Sequence, residues 1–224
     1  MEHQAAIHVA GDVLLRPPLK WAGGKRWQVP QLIDIWNRHR HRRLVEPFCG
    51  GLAVTLGLMP ETALLNDVNP HVVNLYRWLG RGLRITLAMQ NASTPYYASR
   101  QRFNDLLQAG GADTAEAASL FYYLNRTGYN GLCRFNASGE FNVPFGSYKR
   151  INYRREFADV AAQIAGWEFS TGSFEERRVI SVPQSLAASS TLRPILRSSS
   201  CVTRACELTI GWSVAVIRTI FSPL

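Results

Sequence analysis

The chain has 224 residues, 46% of them apolar and 18% charged, which is long enough for one α/β domain with an inserted lobe and excludes wholesale disorder. Lysine and arginine number 25 against 16 acids, giving a formal charge of +9 and a pI near 9.8, a balance suited to a polyanionic partner such as nucleic acid. Cys49, Cys133, Cys201 and Cys206 form no C-x-x-C pair and no histidine falls at zinc spacing beside them, so neither a metal site nor a disulfide framework is expected.

No apolar secretory segment opens the chain. The late apolar stretch at 208–217 falls well short of the roughly 20 residues that span a bilayer, so a cytoplasmic protein without membrane contact is expected. Residues 28–37 (QVPQLIDIWN) set Val29, Leu32, Ile33 and Trp36 on one helical face, with Pro30 tolerated in the first turn. The basic run RHRHRR at 38–43 reads as a solvated face, with phosphate attraction as the lesser reading. LVEPF at 44–48 predicts a strand, Cys49-Gly50-Gly51 a glycine turn, LAVTLGL at 52–58 a helix, and ALLND at 63–67 the strand that completes a β-α-β unit.

Helical patterns follow. HVVNLYRWL opens them after Pro70, YYASRQRFNDLLQAGG closes on Gly110-Gly111, and a third helix starts where Asp113 can cap and Glu116 can reach back. Residues 121–153 carry nine aromatics, four basic residues and one acid among clustered Asn and Gly, which reads as a loop-rich surface module rather than core. A helix over 155–165, a strand over 167–170 and a capping-box pattern at Ser173-Phe-Glu-Glu176 restore the α/β rhythm. From 177 to 224 that rhythm stops: nine serines and six arginines stand against one acid, Glu207, with neither helical nor strand period.

Three constellations could carry chemistry. PLKWAGGKRW at 18–27 fails as a phosphate loop, since Leu19 and Arg26 stand where a glycine and a hydroxyl are needed. It fits either an adenosine site, with Trp21 as stacking face and Lys25 for a ligand carboxylate, or a turn with a buried tryptophan before a helix. The turn after Glu46, with Asp67 ending the next strand, matches the way open α/β sheets hold nucleosides at their carboxyl edge; Asp67 reads equally as a turn-former in Asn66-Asp-Val-Asn-Pro70. Within 125–150, Arg126, Arg134, Lys149 and Arg150 can meet phosphates or guanine, Asn130 and Asn136 can fork onto adenine, and Tyr129, Phe135 and Tyr148 can stack. Singly, each of these suits a solvated loop or a core aromatic.

LKWAGGK, LVEPFCGG followed by LLNDVNP, and YLNRTGYNGLCRFNASGEFNVPFGSYK together resemble the DNA adenine methyltransferase (Dam-like) family of S-adenosylmethionine-dependent enzymes, over residues 16–176. The resemblance implies an α/β fold: an incomplete Rossmann-like methyltransferase core from residues 1–69 and 155–176, and an inserted, mainly helical target-recognition domain at 70–154. It implies methyl transfer to the 6-amino group of adenine in double-stranded DNA, at short sites often of the GATC kind. Carried over by position, Trp21, Lys25 and Asp67 contact S-adenosylmethionine with Glu46 and Gly50 nearby. Tyr129, Asn130, Leu132, Arg134 and Asn136 face DNA, Leu132 as an apolar wedge, and Lys149 joins them.

Two departures stand out. The family turn is often F-x-G-x-G, whereas here it is Phe48-Cys-Gly-Gly-Leu52. The family also uses an Asp-Pro-Pro-Tyr type tetrapeptide to accept hydrogen bonds from the adenine amino group and to stack on the extruded base. No aspartate follows Asp159 and the only Pro-Pro is Pro17-Pro18, so no catalytic residue is assigned. The tail at 177–224 therefore reads as out-of-frame translation, and the chain as an inactive N-terminal part of a methyltransferase. A non-catalytic basic DNA-binding protein is the alternative. Loss of the following strands is expected to leave unpaired edges and exposed apolar faces at 44–48 and 63–65.

Overall fold

A computed structural model describes residues 15–174. Three parallel strands, β1 (Leu44–Glu46), β2 (Ala63–Asp67) and β3 (Trp167–Thr171), form a sheet in the order β1-β2-β3. Leu44 stands opposite Ala63, and on the other side of β2 Leu65 faces Phe169 and Asp67 faces Thr171. Parallel pairing of β1 with β2 requires a crossover, supplied by a tight turn and the short helix α2 (Thr55–Leu58). The chain is thus of mixed helix and parallel-sheet class.

β1 stops at Glu46, short of the expected end, because Pro47 has no N–H to give to the ladder. α2 is likewise shorter than the predicted helix over 52–58: Leu52 sits at φ 59°, outside the helical region, so the turn consumes the first residues. Of the apolar faces expected to be exposed at 44–48 and 63–65, Leu44, Ala63 and Leu65 are buried and Val45 and Leu64 half-buried, while Phe48 is exposed. Among the described residues β1 and β3 each pair on one side only.

α1 (Val29–Asn37) buries Val29, Leu32 and Trp36, three of the four residues its period marks. α3 (Pro70–Gly80) begins where the Asn69 side chain accepts from the His71 amide at 3.0 Å and Pro70 supplies the fixed φ of a first helical position. α4 (Ser93–Gln108) closes as predicted on Gly110 and Gly111, whose amides donate to Leu107 and Leu106 carbonyls at 3.2 and 2.8 Å. α5 (Ala115–Thr127) is capped by Thr114, not Asp113: its hydroxyl oxygen accepts from the Ala117 amide at 3.2 Å. Glu116 does not reach back to the cap but accepts from the Arg102 guanidinium on α4 at 2.7 and 2.9 Å. α6 (Ala158–Ile164) starts later than predicted, because Arg155 is pinned outside it, its guanidinium donating to the Ile85 and Leu87 carbonyls.

The expectation of a surface module at 121–153 fails for much of that segment. α5 runs through it to Thr127, and Phe121, Tyr122, Tyr123, Phe141 and Val143 are buried. Aromatic density serves the core here because the tyrosine hydroxyls find carbonyls inside: Tyr96 donates to Val143 at 2.9 Å and Tyr123 to Gln90 at 2.7 Å. α3 packs against α5 and also against the sheet, with the Tyr76 ring 5.6 Å from that of Phe169 and Arg77 donating to the Phe169 carbonyl. The capping-box pattern expected at Ser173-Phe-Glu-Glu176 falls partly outside the described residues, which end at Phe174, and the compositional change at 177–224 lies wholly outside them. Among the described residues no helix is long and apolar enough to cross a membrane, and no three His, Cys, Asp or Glu side chains converge to hold a metal ion.

Candidate functional site

The carboxyl ends of β1 and β2 lie side by side, and the turn between β1 and α2 folds back over them. Gly50 takes φ 43°, a conformation L side chains rarely adopt. Its amide donates to Asp67 Oδ2 at 2.8 Å, its carbonyl accepts from the Tyr76 hydroxyl at 2.7 Å, and the preceding Cys49 amide donates to the Asn66 carbonyl at 2.8 Å. The other Asp67 oxygen accepts from the Asn69 amide at 2.9 Å, so one carboxylate ties the turn to the start of α3. Each of its oxygens keeps a second acceptor position.

Trp21 packs against the turn. A Cβ on Gly50 would stand 2.5 Å from the indole Nε1, and one on Gly51 2.6 Å from the tryptophan Cβ. Trp21 and Asp67 thus meet at Gly50. Lys25, half-buried, donates its amine to the Gly23 carbonyl at 2.7 Å, within its own loop. Glu46 lies half-buried beneath the turn and accepts from the Thr55 hydroxyl. Burial raises its carboxyl to about 7; the Thr55 hydrogen bond opposes the shift and the nearby Asp67 charge adds to it.

Two side chains that sequence reasoning did not single out border this edge: Phe48 and Val68, 57% and 73% exposed, each immediately beyond or near a strand end. Tyr76 was missed as well. Its position on the apolar face of α3 marks it as core, and helical period carries no signal that its hydroxyl bonds the glycine turn.

The residues of the proposed DNA face follow α5. Tyr129 and Asn130 lie exposed in a single 3-10 turn, Tyr129–Gly131, held by the Tyr129 amide donating to the Pro144 carbonyl at 2.9 Å. Leu132 is half-buried against the core, and Lys149 is exposed. Arg134 is exposed with its Nε donating to Asn142 Oδ1 at 2.8 Å. Asn136 is committed to its own turn: Oδ1 accepts from the Ser138 and Glu140 amides at 3.0 and 2.8 Å, and the amide nitrogen donates to the Glu140 carboxylate at 2.9 Å. This segment docks on the strand edge through Asn69, whose side-chain nitrogen donates to Cys133 Sγ at 3.0 Å, and through Phe135, stacked 4.9 Å from the His71 ring.

Comparison with known proteins matches residues 21–185 to the D12 class N6 adenine-specific DNA methyltransferase model. A DNA adenine methylase of Haemophilus influenzae is 39% identical over 143 residues, covering 60% of this chain and 48% of that protein. The Retron Ec67 DNA adenine methylase of Escherichia coli is 36% identical over 171 residues, covering 70% of this chain and 56% of the relative. A DNA adenine methylase of Vibrio cholerae is 41% identical over 158 residues, covering 66% and 53%. The chain spans about half the length of the curated relatives it matches. With most of its length matched, including the glycine turn, Asp67 and the segment after α5, the chain belongs to the D12 class N6 adenine-specific DNA methyltransferase family.

Proposed function

We propose that this chain binds S-adenosylmethionine at the edge formed by Trp21, Gly50 and Asp67 and duplex DNA across the segment after α5, as the ligand-holding part of an enzyme that methylates the 6-amino group of adenine. The observation that carries the reading is the contact of Trp21 and Asp67 with one glycine at the carboxyl ends of parallel strands. An aromatic ring, a glycine turn and a carboxylate with spare acceptor positions suit a cationic nucleoside: the ring stacks, the glycines let the indole seat close to the strand ends, and the carboxylate accepts ribose hydroxyls. Lys25, by leaving the Gly23 carbonyl, would meet the ligand carboxylate, and Glu46 would stiffen the turn from below. When bound, the cofactor supplies the methyl group.

For DNA, the formal charge of +9 supplies long-range attraction. Tyr129 and Asn130 offer exposed stacking and amide groups, Arg134 and Lys149 offer cations, and Leu132 offers an apolar wedge; Asn136 acts first by shaping the loop that carries its neighbours. We assign residues 70–154 to target recognition and 1–69 with 155–176 to the cofactor core, with α3 as their shared wall. Since these 224 residues hold no Asp-Pro-Pro-Tyr type element, the chain by itself binds its ligands without transferring methyl.

The test incubates the full chain with tritium-methyl S-adenosylmethionine and a GATC-containing duplex, alongside titrations of each ligand. Binding of both ligands with no tritium in DNA is expected. Binding of DNA alone favours the non-catalytic DNA-binding reading; tritium in the DNA overturns the claim that this chain does not transfer.

A further inference from the structure

We infer that Asn125 is a positioning residue that couples the cofactor wall to the DNA-facing turn. Its side chain is 2% exposed and belongs to neither proposed ligand site. Asn125 Oδ1 accepts from the Lys20 amide at 2.8 Å, and its Nδ2 donates to the Lys20 carbonyl at 2.7 Å and to the Gly131 carbonyl at 3.3 Å. One buried amide therefore clasps the backbone immediately before Trp21 and, with the same nitrogen, the turn that displays Tyr129 and Asn130. The two segments also pack closely: a Cβ on Gly131 would stand 2.5 Å from the Lys20 Cβ and 3.1 Å from the Lys20 carbonyl oxygen. A third link spans the same gap, with the Lys20 amine 3.7 Å from the centre of the Tyr148 ring and the Tyr148 hydroxyl donating to the Gly128 carbonyl at 3.0 Å.

A primary amide suits this task. It presents one acceptor and two N–H groups in a plane, matching the N–H and C=O of Lys20 as a strand neighbour would, while its spare N–H reaches the second segment. Losing it leaves buried backbone groups of both segments unpaired, so the contact is specific rather than space-filling. A ligand stacked on Trp21 fixes the Lys20–Trp21 backbone and, through Asn125, the turn at 129–131; a duplex pressing on that turn fixes the Trp21 backbone in return. Each ligand thereby raises the affinity for the other by the same factor.

This inference rests on the reading of the two sites given above, and the experiment separates their failures. Sinefungin, an S-adenosylmethionine analogue that cannot give up a methyl group, is titrated into the full chain by calorimetry with and without a GATC-containing duplex, and the duplex is titrated by fluorescence anisotropy with and without sinefungin. In the unsubstituted chain each ligand should tighten the other about fivefold or more. In Asn125→Ala, and in the isosteric Asn125→Asp, which keeps the acceptor but loses both donors, the factor should fall close to one while each ligand alone binds within about threefold of its original affinity, a pattern that general loosening of the fold does not give. Binding of both ligands without coupling in the unsubstituted chain overturns the inference alone, however the variants fold. Coupling undiminished in a folded variant overturns it too, and failure of the unsubstituted chain to bind either ligand removes the underlying reading and this inference with it.

Discussion

Asp67 and Gly50 are joined by one hydrogen bond, 2.8 Å from the Gly50 amide to Asp67 Oδ2, across 17 residues of sequence. That bond closes the turn against the end of β2 and presents the backbone on which Trp21 rests. Asp67→Ala leaves the Gly50 and Asn69 amides without their acceptor, which costs about 1–3 kcal/mol of stability. We expect sinefungin affinity in calorimetry to fall about tenfold or more, equal to at least about 1.4 kcal/mol. Retained affinity at reduced stability would show that Asp67 serves the turn alone.

Gly51→Ala separates space from charge. The added Cβ would meet Trp21 at 2.6 Å, so the indole must move. An overpacked contact of this kind costs about 1–3 kcal/mol, and the expected outcome is a changed tryptophan emission with lost sinefungin binding. Duplex affinity in anisotropy should change much less.

Glu46 and His71 give opposite pH slopes. Glu46 titrates near 7 when folded, against an ordinary 4.5, so the folded chain holds the proton more tightly and loses stability as pH rises from about 4.5 to 7. His71, packed on Phe103, Phe121 and Phe135 with a buried Nδ1 that has no hydrogen-bond partner, is lowered to about 4 by burial; the unfolded chain takes the proton first, so stability falls as pH drops from about 6.5 to 4. Each contribution is on the order of 3 kcal/mol. Between pH 4.5 and 6.5 they oppose one another in the unsubstituted chain. Urea unfolding of Glu46→Gln should therefore show stability rising with pH across that window, and His71→Phe stability falling; curves parallel to that of the unsubstituted chain would contradict both assignments.

Asn130 and Asn136 look alike in the sequence but not in the structure. Asn130 is exposed at φ 52°, whereas the Asn136 amide is engaged by Ser138 and Glu140. Asn130→Ala should weaken discrimination between duplexes by about 1–3 kcal/mol at one base position. Asn136→Ala should loosen its loop and lower affinity evenly across sequences, and Lys149→Ala should reduce the slope of log affinity against log salt by about 1. Competition titrations over single-base variants of the duplex check the three together.

β2 was legible because a short apolar run ending in an acid marks a buried strand: ALLND became β2 residue for residue, whereas the first strand, expected through 48, ended before Pro47. Trp21, Gly50 and Asp67 were named together by the family resemblance, because the residues alone left Trp21 and Asp67 open between a ligand role and a turn. What stayed hidden depends on partners far along the chain. Tyr76 bonding Gly50 and Asn125 bonding Lys20 join residues 26 and 105 positions apart, and both lie on helix faces whose period says only that they are inside. The aromatic run after 121 misled for a related reason: ring content measures area to be buried or stacked, and only the packing of α4 on α5 decides which.

The meeting of a tryptophan and a carboxylate on one glycine is tested most directly by titrating S-adenosylmethionine calorimetrically into the full chain and into Trp21→Ala and Asp67→Ala, each verified as folded by thermal unfolding. The account predicts saturable one-to-one binding by the unsubstituted chain and a loss of about tenfold or more in each variant. Folded variants that bind as tightly as the unsubstituted chain would contradict it.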